Sequence, residues 1–351
     1  MTETLDTLWY TRCPVPTGLG IAIQNGWLED AFRAQGTKLG SILESNDFKT
    51  RESHFSHTVR NSVRHGGNIP AISAKALGRD TRVIGLSWAD ETQLILASPE
   101  SGIETVKDLK GRRFGLPNWK NVEIDFSRAQ AIRGLENALS LEGLSVADVE
   151  LVDQNIESHY SDVAAQNVNG TLARGLSTSR TRANNLELIA LLRGEVDAIF
   201  LKGASGAHAA NQFGLTTVID TGIHPDPLIR ANNGTPRTLA VDGALIDEHF
   251  DAAVTIVEQV LRAEAWAQEH PSDIRRFLAR ETNSSEYWVT VAYGQDAQTK
   301  LKTDLSEQSV AGIQHFTDFL ARWKFIPETF DVRSWIDVRP LEAARSARLA
   351  G

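Results

Sequence analysis

The chain has 351 residues, more than one hydrophobic core usually serves, so two domains are expected. A formal net charge of −9 lacks the basic footprint that nucleic acid demands, and no apolar run reaches the roughly 18 residues of a membrane span. A single cysteine excludes an internal disulfide, and the opening MTETLDTLWYTRC has neither a basic nor an apolar leader region, so a cytoplasmic location is expected.

Along the chain, short β-rich runs alternate with amphipathic stretches, the pattern of an α/β fold. TLWYTRC (7–13) predicts a first strand, TGLGIAIQNGWLEDAF (17–32) one helix, and TKLGSILES (37–45) a second strand. NIPAISAKAL (68–77) reads as a helix opened by Gly66 and Gly67, followed by strands in TRVIGLSW (81–88) and TQLILAS (92–98). GIETVKDLKGRRFGLPN (102–118) predicts a helical turn, a basic connector and a strand. A helix at 129–144 and a strand in VADVELVD (146–153) come next. NNLELIALLRGEVDAIFLKG (184–203) predicts a helix running into a buried strand at Val196–Phe200, and LTTVIDTG (215–222) one more strand. From Ala244 the chain reads as mainly helical, with two helices at 252–282 broken at Pro271.

The stretches DLKGRRFGLP, ADVELVD, ALLRGEVDAIF and AWAQEHPSDIRRFLA, in that order, resemble the type II periplasmic binding-protein fold. The resemblance implies two α/β lobes, with mixed sheets flanked by helices and a ligand cleft between them. It also implies a discontinuous first lobe, residues 1–95 and 218–351, with 96–217 as a second lobe that closes the cleft. Helix N-termini facing such a cleft suit a small anion.

The lone Cys13 allows two readings. A lone cysteine is often a small buried hydrophobe. Cys13, however, ends the first strand where Pro14 stops it, and in an open α/β sheet the carboxyl ends of strands border the ligand crevice. A thiol at the start of the following helix is placed for chemistry. A second constellation is ESHFSHTVRNSVRHGGNIP (52–70). Here Gly66 and Gly67 allow a ligand close to backbone amides, and Arg64 supplies a guanidinium fork for an anion. The bland alternative is a polar loop with a glycine turn. His54 and His57 stand three apart, but with only His65 as a nearby third ligand no metal site is expected.

CPVP at 13–16 and HF at 54–55 followed by RHGG at 64–67 resemble the aromatic sulfinate desulfinases of dibenzothiophene desulfurisation. The resemblance implies a cofactor-free hydrolysis of an aryl carbon–sulfur bond, giving arene and sulfite from an aromatic sulfinate. It implies catalytic roles for Cys13, His54 and Arg64, with the sulfinate held by Arg64 and Gly67. Cys13 then either attacks sulfur or protonates the ring carbon. His57 stands where these enzymes carry a tyrosine. Phe55, Trp119 and Phe126 are candidate walls for an aromatic ligand, each with a core-packing alternative, and Lys120 and Lys202 are candidates for a second anion contact. Gly66 and His57 complete the substrate-binding set.

The competing reading is a non-catalytic solute-binding protein for an aromatic sulfonate, sulfinate or carboxylate. A pyridoxal-phosphate-dependent synthase branch of the same fold is disfavoured because it uses a cysteine-rich segment. No phosphate-cradling fingerprint or nucleophile elbow occurs, and GLSTS (175–179) reads as a surface loop rather than an anion site. A monomer is expected.

Overall fold

The computed structural model describes residues 5–159 and 185–350, so the GLSTS stretch lies outside the described residues. The chain divides into two compact units, Met1–Asp90 with Asn233–Gly351, and Glu91–Asn232. The strands are β1 (Thr7–Arg12), β2 (Lys38–Ser41), β3 (Ser62–Gly66), β4 (Thr81–Ser87), β5 (Gln93–Ala97) and β6 (Arg113–Asn121). They continue with β7 (Glu150–His159), β8 (Ala198–Lys202), β9 (Thr216–Asp220), β10 (Arg237–Asp242) and β11 (Thr303–Asp304).

Among the described residues, the first unit builds one mixed sheet in the order β11-β4-β10-β3-β1-β2. β1 pairs in parallel with both β2 and β3, while β10 runs antiparallel between β3 and β4. The chain leaves β1 to one side for β2 and to the other for β3. That reversal is the topological switch point at which open α/β sheets bind ligands, just beyond the strand carboxyl ends.

Local chemistry sets the helices around this sheet. α1 (Gly18–Gln24) is capped by Thr17, whose side chain accepts from the Gly20 amide at 3.0 Å. It packs so closely on the helix Phe250–Glu269 that a Cβ on Gly18 would lie 2.8 Å from Val260 Cγ1. The single helix expected over 17–32 is in fact two. Gly26 takes a left-handed φ of 73°, which ends one helix and starts α2 (Trp27–Ala34). α3 (Phe48–Ser56) is capped by Asp47 and stops at His57, itself left-handed at φ 52°. α4 (Asn68–Ala76) follows β3 directly. Leu8, Leu19, Val63, Leu239, Val257 and Val260 form the centre of this unit's core.

The second unit carries its own mixed sheet, β7-β6-β8-β5-β9, with α5 (Phe126–Ser140) beside it and a core that includes Leu96, Leu191, Val196 and Ile199. The chain passes between units at 90/91 and 232/233 rather than near 95 and 218, because β5 and β9 pair with each other in the second sheet. No helix among the described residues is long and apolar enough to cross a membrane.

Candidate active site

Arg64 and Gly66 are strand residues of β3, not part of a loop. The parallel register sets Thr11 of β1 beside Arg64 and Arg12 beside His65. Because side chains alternate along a strand, Thr11, Cys13, Arg64 and Gly66 share one face at the carboxyl ends of β1 and β3. The C-terminal turn of α3 brings His54 onto the same face. The constellation is thus assembled at the switch point of the sheet.

Cys13 is buried, and its sulfur occupies the space a side chain would fill on β3: a Cβ on Gly66 would come within 2.2 Å of Sγ. Gly66→Ala is therefore expected to push the thiol aside and to lower turnover at least about a hundredfold, since a displacement near 1 Å suffices for that. Steady-state rates beside a thermal melt would check it, with an unchanged rate refuting the contact.

Arg64 Nη2 donates to Cys13 Sγ at 2.9 Å, Nη1 to the Gly67 carbonyl at 2.6 Å, and Nε to the His54 carbonyl at 3.0 Å. Three of its five N–H groups are spoken for, leaving one on each terminal nitrogen. The guanidinium is locked in direction while keeping two donors for an anion. His54 closes the other side of the sulfur, with Nε2 3.8 Å from Sγ and Nδ1 2.6 Å from Thr11 Oγ1. Its ring meets Phe55 edge-on, with centroids 4.5 Å apart.

The electrostatics are one-sided. Burial first, then the cationic Arg64 and neighbouring His57, push His54 well below the ordinary histidine value. Burial and Arg64 bring His57 down to about 3. His65, on the opposite face of β3, falls to about 3 through burial, Arg237 and Arg64, and its Nε2 lies 3.2 Å from Ser87 Oγ. All three rings are neutral at pH 7, and Arg64 is the fixed charge beside the sulfur. Among the described residues no group of three or more histidine, cysteine or acidic side chains is arranged to hold a metal.

The glycine pair does only part of what the sequence suggests. Gly67 is the N-cap of α4, but the Asn68 amide donates to the Asn233 carbonyl at 2.9 Å and the Ile69 amide to Asn233 Oδ1 at 3.1 Å. These two helix-start donors are thus engaged within the protein. A Cβ on Gly67 would meet Asn233 Oδ1 at 2.6 Å, so glycine here admits the capping side chain.

The remaining candidates lie in the second unit. Trp119 is buried on β6 against Ile156, a core contact. Phe126 is half-buried at the start of α5, and Lys120 is exposed. Lys202, offered as a second anion contact, is ion-paired with the buried Glu91. Sequence reasoning missed Thr11 and Asn233. Thr11 was detectable, since it stands two residues before Cys13 on the same strand. Asn233 was not, because it is 166 residues beyond Gly67 and only the fold joins them.

A family model described as NMT1/THI5 like matches residues 14–177. The 2′-hydroxybiphenyl-2-sulfinate desulfinase of Rhodococcus erythropolis is 25% identical over 354 aligned positions, covering 94% of this chain and 91% of that protein. The chain is a homologue of that desulfinase. A solved structure of a cysteine-to-serine variant of DSZB, in complex with biphenyl-2-sulfinic acid, superposes with a TM-score of 0.75. Identity with it is 23%, and the match covers 97% of this chain and 99% of that one. The periplasmic aliphatic sulphonate binding protein SsuA from Escherichia coli matches with a TM-score of 0.63 at 17% identity, covering 95% and 92%. The fold is accordingly periplasmic-binding-protein-like, with mixed α/β units.

Proposed function

We propose that the protein is a cofactor-free desulfinase that converts an aromatic sulfinate and water into the arene and sulfite. The observation that carries this reading is the sulfur of Cys13, set over Gly66 between the Arg64 guanidinium and the neutral His54 ring. The homology to an aryl sulfinate desulfinase over most of the chain supports it.

In this reading the two unused N–H groups of Arg64 take the sulfinate oxygens. Their hold strengthens as sulfur leaves the ring as an oxyanion, which is where a preorganised donor lowers a barrier. Cys13, already touching the same guanidinium, meets the scissile bond. By one route its thiolate attacks sulfur, the ring carbon leaves with its bonding pair and takes a proton, and water then releases sulfite from the S–SO2 adduct. By the other route the thiol protonates the ring carbon, and the departing SO2 is hydrated to sulfite. Both routes balance as sulfinate plus water to arene plus bisulfite. Phe55 and His57 border the sulfinate in this proposal. Lys202 drops to a lesser role because Glu91 already neutralises it. The reading includes a cytoplasmic monomer.

The test is sulfite release from 2′-hydroxybiphenyl-2-sulfinate and from benzenesulfinate. Release, faster from the biphenyl, is the expected result. The rival reading, a binding protein for sulfonates or related anions, is favoured by the likeness to SsuA. Tight binding with the sulfinate recovered unaltered would establish that reading instead.

A further inference from the structure

Strand β1 and the residue that follows it carry the two hydrogen-bond partners of the His54 ring. Thr11 and Cys13 project from one face, and the imidazole spans them, with Nδ1 2.6 Å from Thr11 Oγ1 and Nε2 3.8 Å from Cys13 Sγ. Thr11 is only 2% exposed, so its hydroxyl is shut off from solvent. A neutral imidazole has one N–H and one bare nitrogen, and the hydroxyl beside Nδ1 is able to complement either arrangement.

The two tautomers differ in what they leave unsatisfied. With the proton on Nδ1, Thr11 accepts, and its own hydrogen needs a further acceptor. Among the described residues, the Thr11 hydroxyl makes no second hydrogen bond. With the proton on Nε2, Thr11 donates to the bare Nδ1, and the Nε2–H points at the sulfur that Arg64 Nη2 also approaches. With Cys13 as the thiolate, every hydrogen then has a partner, as burial demands, whereas a thiol hydrogen would find its acceptor in the bare Nε2 of the other tautomer.

We propose that Thr11 is a positioning residue that fixes His54 as the Nε2–H tautomer and so directs a second N–H donor onto the Cys13 sulfur. Its consequence for rate rests on the desulfinase reading; the tautomer itself does not. In this state His54 stabilises electron density on sulfur and does not withdraw a proton from it.

The experiment compares wild type with Thr11→Val, which keeps the shape and removes the hydroxyl, and with Thr11→Ser, which keeps the hydroxyl. Thr11→Ala serves if the valine variant misfolds. Ring ¹⁵N NMR, with His54 assigned by the signals lost in His54→Gln, reads the tautomer. The expected result is a protonated Nε2 and bare Nδ1 in wild type, loss of that preference in Thr11→Val, and recovery in Thr11→Ser. Sulfite release is expected to lose at least about tenfold in kcat in Thr11→Val, as when a histidine is left in the wrong tautomer. KM is expected to stay within about twofold, as for a group that acts after binding. A wild-type ring protonated on Nδ1, or an Nε2–H state that survives Thr11→Val, overturns the proposal. If wild type releases no sulfite, the desulfinase reading fails by itself, and the NMR comparison still decides the role of Thr11.

Discussion

Replacing Cys13 with serine is expected to abolish sulfite release, lowering it by at least about a hundredfold, while the protein stays folded. A positioned proton donor contributes about 10² to 10⁴ in rate, and loss of a nucleophile costs more still. The sulfur is held by geometry that a hydroxyl does not reproduce: an Arg64 donor at 2.9 Å, the His54 ring at 3.8 Å and the cleared strip over Gly66. Removing the thiol takes away a reacting group, not a core filler, so the melting temperature is expected to change little beside the rate. An unchanged rate in Cys13→Ser would sink the proposed function. Because the chain holds one cysteine, intact-mass analysis of wild type during turnover also separates the two routes. An adduct heavier by one SO2 identifies attack on sulfur; its absence, with deuterium from solvent entering the ring, identifies protonation of carbon.

The second large effect is on stability, and buried histidines contribute to it with the opposite sign to buried carboxyls, among them Glu281 and Asp242 of the first unit, which burial raises. His57 and His65 are buried and neutral, with folded-state values near 3 against 6.5 when unfolded. Below pH 6.5 the unfolded chain binds protons that the folded unit refuses, so stability is lost as pH falls, down to about pH 3. At pH 5.5 each histidine costs about 1.4 kcal/mol, and His54 shifts in the same direction.

In the second unit burial raises Asp125 to about 6 and Glu187 to about 7, against 3.8 and 4.5. Those raised carboxyls contribute stability at low pH that is lost as pH rises through 6 to 7. Hydrogen exchange followed from pH 7.5 to 5 is expected to show protection falling in β1, β3 and α4 and holding or rising in β6 and α5. Unchanged protection around β1, β3 and α4 would contradict the buried neutral histidines. The same neutrality removes any histidine step near pH 6.5 from the rate profile.

Much of the fold was legible because it rests on local periodicity. TLWYTR, VIGLS, LILA and AIFL read as strands from their β-branched and apolar runs, and Pro271 marked a helix boundary that the structure keeps. The misses are places where position in the sheet outweighs local preference. SVRHG reads as polar and glycine-rich, yet it is the fully buried β3, paired on both sides by β1 and β10. ANNGTPRTLAVD carries Pro236 and two asparagines, which obscured β10.

The same division runs through the site. The residue types were open to sequence reading: one thiol after a strand, and a histidine, an arginine and a glycine pair 41 to 54 residues later. Covalent order and side-chain chemistry settle which groups are available and that they favour an anion. Only the tertiary structure decides that Thr11 reaches His54, that Asn233 occupies the start of α4, and that Lys202 is matched by Glu91. Each of those contacts joins segments far apart in the chain. A local sequence carries no information about which distant strand will lie beside it, because that choice is made by burial of the whole sheet face. The chemistry therefore belongs to the sequence, and its aim to the fold.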